Sequence, residues 1–253
     1  MVFESKDVSF VFGDLVSDAD CFVLEFEKCA ESLFCGEDVL SHSYQITYPM
    51  IVRYFDLLSV MGKEDFVRGI LMVYGWMPKI LRVCSGGVLR DDEFLMIRSF
   101  LVKLRCLSGE EKLDGYKGFI EGEWIVNRLK VLMNNSVVGL SKLLHFVNPR
   151  AFPLLDSRIL SLFLPYFRNK YGKNEKWGVG NINLEVRDYF NFLLGVVEYR
   201  NGLLASQKHD GEIALCIKDY SGKCNSLYGG YGNFDISYLR AIDVLMFYLA
   251  KSK

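Results

Sequence analysis

The segment Val138-Gly139-Leu140-Ser141-Lys142-Leu143-Leu144-His145-Phe146, followed by Phe152-Pro153-Leu154-Leu155-Asp156-Ser157-Arg158-Ile159-Leu160, constrains the fold more than any other part of the chain. A proline disfavours helical backbone in the residue before it, so Pro149 and Pro153 end one helix and set up the turn before the next. Asp156 stands just ahead of Ser157-Arg158-Ile159-Leu160-Ser161-Leu162-Phe163-Leu164, where a carboxylate accepts hydrogen bonds from amides that a helix start leaves unpaired. Two helices are therefore expected around a tight turn. Lys142 lies early in the first and Asp156 opens the second, so local geometry is expected to bring a base and a carboxylate together.

The same periodicity reading, carried along the chain, predicts a mainly α protein. Helices are expected over 18–33, with Ser17 or Asp18 as cap, then over 44–61, 63–74 and 91–107. Others are expected near 120–134, 141–148, 157–171, 184–202 and 236–251. Pro78 suits the first turn of a short helix after Gly75-Trp76-Met77, and Gly86-Gly87 marks a loop. Asp91-Asp92-Glu93 places acids where the helix dipole favours them. Residues 8–16, Val-Ser-Phe-Val-Phe-Gly-Asp-Leu-Val, are the one early strand candidate, a minor β element at the N-terminus. The polar loop 108–118 is the expected hinge between an N-terminal lobe, 1–110, and a second lobe, 119–253. Gly222 to Asn233, rich in glycine, is expected as an irregular loop or small hairpin.

Bulk properties exclude several classes. With 253 residues, 51% of them apolar and 14% aromatic, the chain can bury a core and is not a disordered segment. A net charge of −1 argues against a wholesale polyanion binder while leaving room for a local basic face. The start, Met1-Val2-Phe3-Glu4-Ser5-Lys6-Asp7, lacks the basic and apolar regions of a secretory signal. No apolar run approaches the roughly 18 residues needed to cross a bilayer, so no membrane partner is expected. Seven cysteines with no C-x-x-C pair, and only His42, His145 and His209, fit free thiols in a reducing cytoplasm better than a metal site. Neither metal nor cofactor is expected.

The candidate chemistry lies in Asp156 and Lys142. A carboxylate facing a cleft stabilises positive charge developing on a sugar, as oxocarbenium chemistry requires. A neighbouring lysine whose pKa falls attacks the sugar carbon and forms a Schiff base. As an alternative, Asp156 is a helix cap and Lys142 a solvated first-turn residue. Beyond them, Arg158, Arg168, Lys170, Lys173 and Lys176 alternate with Tyr166, Phe167, Tyr171 and Trp177, against the single acid Glu175. That stretch is where a phosphate backbone or an extruded base would be met, unless it is a solvated helix face with core anchors. His145 is either a base contact one turn beyond Lys142 or a satisfied core histidine. Trp76 is read as a turn anchor in preference to a stacking surface. Arg240 and Asp243 are read as an ion pair on a packing helix.

Phe152-Pro153-Leu154-Leu155-Asp156, with the helix before it, resembles the helix-hairpin-helix base-excision DNA glycosylases over residues 136–165. In that family a glycine-containing hairpin leads into a helix, and a proline turn carries the catalytic aspartate into the next. The resemblance implies that Asp156 is catalytic and that Lys142 stands where bifunctional members place their lysine. It implies a two-lobed helical fold in which a base, in DNA more than RNA, is flipped into a cleft between lobes. Amides around Gly139 and Ser141 would hold a phosphate, and His145, Arg158, Arg168, Lys170 and Lys173 would line the strand. Only Gly139 stands for the usual pair of hairpin glycines, and the Lys-to-Asp spacing is short by about one helical turn. The hairpin is thus expected to be truncated, and the family's iron–sulfur cysteines are missing. The other function class is a catalytically silent module on the same fold that binds nucleic acid or a protein, as in mobile-element or defence systems.

Overall fold

A computed structural model describes residues 4–35, 39–77, 89–109, 113–171, 184–205, 210–227 and 236–251. Among these the protein is mainly helical, with twelve α-helices and no strand. No helix among them is long and apolar enough to cross a membrane. The expected helix after Pro78, the Gly86-Gly87 loop and the part of the glycine-rich stretch from 228 to 233 lie outside the described residues.

Backbone contacts group the chain into two compact units that are not consecutive in sequence: residues 39–152, and residues 1–38 together with 153–253. The expected hinge at 108–118 falls inside the first of these. In the unit 39–152, α3 (Val39–Tyr54) leads through a 3-10 turn to α4 (Lys63–Tyr74) and then α5 (Asp91–Arg105). The short α6 (Lys117–Glu121), α7 (Glu123–Leu132) and α8 (Val137–Val147) complete it. Helix α8 is the centre, buried without a break from Gly139 to Val147 and packed on α3, α4, α5 and α7. Its apolar residues run all round the helix, which suits a helix enclosed on every side.

The other unit contains α1 (Ser5–Leu15), α2 (Ala19–Cys35), α9 (Ser157–Tyr171), α10 (Val186–Leu204), α11 (Asp210–Leu227) and α12 (Tyr238–Lys251). Asp18 caps α2 as expected, its carboxylate accepting the Cys21 N–H at 2.9 Å. Helix α12 packs on α2, α9 and α10, and α11 packs on α2. Phe12, Phe163, Phe192 and Tyr199 form an aromatic core linking α1, α9 and α10.

The strand expected at 8–16 is instead most of α1. Its composition of β-branched and aromatic residues suits either structure, and the period of burial decides the matter. Val8, Val11 and Phe12 are buried at helical spacing while Phe10 is 56% exposed. Helix α1 lies against α10 at Gly195, where a Cβ would stand 2.4 Å from the Ser5 carbonyl oxygen and 2.5 Å from Val8 Cβ. A side chain-free point on α10 lets the two backbones meet, and that long-range contact selects the helix. A second correction concerns 210–227: residues 222–227, expected as loop, close α11, whose buried face is Ile213, Ile217 and Tyr220.

Candidate functional site at the Asp156 turn

Residues 152–156 belong to no helix or strand, and α9 begins directly after them at Ser157. Asp156 Oδ1 accepts the N–H groups of Arg158 and Ile159, both at 2.9 Å, while the Asp156 carbonyl takes the Leu160 N–H. The residue is therefore the N-cap of α9, as its sequence context predicts. One oxygen does both tasks. Asp156 Oδ2 makes no hydrogen bond among the described residues, and the side chain is partly exposed.

Two other helices fix the backbone leading to Asp156. Tyr189 on α10 donates its hydroxyl to the Pro153 carbonyl at 3.1 Å. The Leu154 N–H donates to Asp243 Oδ2 on α12, also at 3.1 Å. Asp243 is 1% exposed. Burial pushes its carboxyl well above the usual carboxylate range, opposed by the Arg240 guanidinium and the Leu154 N–H and reinforced by the charge of Asp156. Arg158, exposed, holds its guanidinium over the Phe247 ring at 4.6 Å from the centroid. Arg240, Asp243 and Phe247 stand at i, i+3 and i+7 on α12, so one face of that helix serves the turn. That spacing was readable in the sequence; its destination, the turn 89 residues earlier, was not.

The second set of expected residues lies on α8, in the unit 39–152. A second turn, at 133–136, leads into α8 ahead of the hairpin position expected around Gly139, and in it Asn134 and Asn135 both have φ of 56°. Asparagine tolerates that left-handed conformation better than most other residues with side chains, so the pair suits this turn. Ser136 then caps α8 by accepting the Gly139 N–H at 3.1 Å, and its carbonyl takes the Leu140 N–H at 2.9 Å. Gly139 and Ser141 thus lie within the first turns of a helix, and the amides at 139 and 140 are already occupied. A Cβ on Gly139 would meet Met133 Cβ at 3.1 Å, so the glycine serves close packing of the turn. Ser141 Oγ donates to the Val138 carbonyl at 2.9 Å.

Lys142 is 9% exposed, not solvated, and its Nζ donates to the Trp76 carbonyl at 2.8 Å. Trp76 anchors the chain beyond α4: its Nε1 donates to Thr47 Oγ1 at 2.9 Å, and its ring packs edge-on against Phe146. His145 is fully buried, with Nε2 2.7 Å from the Tyr48 hydroxyl and Nδ1 2.7 Å from the Phe152 carbonyl oxygen. Both ring nitrogens are engaged within the core, the arrangement of a satisfied core histidine. Lys142 and Asp156 belong to different units. The side chains of Arg168 and Lys170, and all of Lys173, lie outside the described residues.

What the arrangement at Asp156 offers chemically is a carboxylate oxygen with no hydrogen bond among the described residues, on a backbone held from two sides, with an aromatic-backed guanidinium two residues on. Comparison of the chain with family models, curated proteins and solved structures finds no match.

Proposed function

We propose that this protein is a DNA glycosylase-like enzyme that hydrolyses the N-glycosidic bond of a damaged or modified base. The observation that carries the reading is the division of labour in Asp156, with Oδ1 occupied by the α9 amides and Oδ2 left over. In this mechanism the bond from C1′ to the base nitrogen breaks and its electron pair leaves with the base, which takes up a proton. Asp156 Oδ2 faces the positive charge that builds on the sugar, and a water oxygen adds to C1′ and releases its proton. Water is the nucleophile because Lys142 Nζ is buried and committed to the Trp76 carbonyl. Arg158, backed by Phe247, is the phosphate contact next to the reacting sugar.

A second reading, a module of the same fold that binds nucleic acid or a protein without chemistry, is favoured by the state of α8. The Gly139 and Leu140 amides, Lys142 and His145 all have their hydrogen bonds inside the fold. Asp156→Asn separates the two, since an asparagine still caps α9 but carries no charge. Under the enzymatic reading, base release from duplexes with oxidised, deaminated or alkylated bases falls by at least about a hundredfold with folding stability held. Salt-sensitive binding without base release by the wild type establishes the second reading.

A further inference from the structure

The backbone from Pro153 to Leu155 belongs to no helix, and two side chains from other helices hold it. Tyr189 grips the Pro153 carbonyl and Asp243 the Leu154 N–H. The Leu154 amide is buried, and without Asp243 it would be an orphaned donor two residues from the free carboxylate oxygen of Asp156. Pro153 has no N–H of its own to contribute. Leu154 and Leu155 are 8% and 0% exposed, so the segment cannot move outward without exposing both. The carboxylate of Asp156 is oriented by its cap bonds to α9 and by the backbone before it, which α10 and α12 hold at Pro153 and Leu154.

We infer that Asp243 is a positioning residue: through the Leu154 N–H it fixes the turn that aims Asp156. The assignment rests on the reading of Asp156 as the working carboxylate for its consequence in turnover, and on geometry alone for its consequence in structure. Burying a carboxyl is costly, and the backbone whose amide it accepts is the one that carries Asp156. Helix α12 in turn has its place fixed by α2, where Cys29 Sγ lies 3.8 Å from the Val244 carbonyl oxygen.

The test compares Asp243→Asn, which keeps an acceptor for Leu154, with Asp243→Leu, which fills similar space without one. Residue-resolved amide hydrogen exchange is read on the full chain, beside turnover on the modified duplexes. In Asp243→Leu the Leu154, Arg158 and Ile159 amides are expected to exchange about tenfold faster or more, while interior amides of α8 and α10 follow only any global loss of stability. Asp243→Asn is expected to restore the slow exchange. Turnover falls in Asp243→Leu with KM little changed and recovers in Asp243→Asn. Exchange at Leu154, Arg158 and Ile159 that stays within about twofold of wild type, or rises only in parallel with every other amide, overturns the assignment. If the wild type releases no base, the enzymatic reading fails while the exchange data still decide the role of Asp243. If Asp243→Leu does not fold, Asp243→Asn decides alone: loss of protection confined to the turn, despite the retained acceptor, refutes the inference, and wild-type protection upholds it.

Discussion

Asp243→Asn tests the electrostatics of the Asp156 turn through stability, without any substrate. In the native protein, burial holds the Asp243 carboxyl well above its ordinary value of 3.8, so the folded state keeps a proton that the unfolded chain gives up. Between those two values the unfolded state binds fewer protons than the native state, and stability falls as pH rises. For one proton the slope is about 1.4 kcal/mol per pH unit. The stability linked to protonated Asp243 is fully present below the unfolded value and is lost as pH climbs through the folded one. Asparagine has the same shape, keeps an acceptor for the Leu154 N–H and does not titrate. Urea unfolding of both proteins, from about pH 4 to about pH 8, should give a difference that is small at the acid end. It should then grow in favour of Asp243→Asn by about 1.4 kcal/mol per unit until the native carboxyl ionises. Parallel stability profiles, or a difference that grows in favour of the wild type, refute the argument that burial dominates at Asp243.

Three further outcomes follow from the packing. Gly195→Ala places a Cβ on the Ser5 carbonyl and Val8 and should cost about 1–3 kcal/mol, with α1 losing exchange protection before α8 does. Tyr48→Phe removes the hydroxyl partner of the buried His145 Nε2 and should cost about 1–3 kcal/mol in urea unfolding. Borohydride treatment with an abasic duplex should trap no adduct, and Lys142→Gln should leave base release within about twofold; an adduct lost in Lys142→Gln would reinstate the lysine as nucleophile.

The fold was legible where local signals were sufficient. Helix α4 occupies the expected 63–74 because its acids and its apolar period agree, and α9 begins after Asp156 because cap and proline agree. Helix α1 was not legible, since Val8, Phe10 and Val11 satisfy a strand as well as a helix and the choice is made by Gly195 on another helix. The start of α8 was misplaced by four residues because its cap is Ser136 and its left-handed residues are asparagines, neither of which the glycine-centred reading sought. At the site, Asp156 and its capping bonds could be read from sequence, as could the preference for Trp76 as an anchor. The link from Leu154 to Asp243 could not, because nothing local pairs residues so far apart in the chain. Nor does sequence spacing show that Lys142 turns its amine to a carbonyl beyond α4. Buried partners of that kind are settled by tertiary packing alone.

Under the proposed function, Asp156 Oδ2 faces a sugar during base release. Its most direct test is single-turnover base release by wild type and Asp156→Asn on duplexes carrying single oxidised, deaminated or alkylated bases, with the unfolding midpoint of each protein measured alongside. The wild type should release base from at least one duplex and Asp156→Asn about a hundredfold less or lower still, with the midpoint nearly unchanged because the cap survives. Release that persists in Asp156→Asn, or no release by the wild type on any duplex, contradicts that reading.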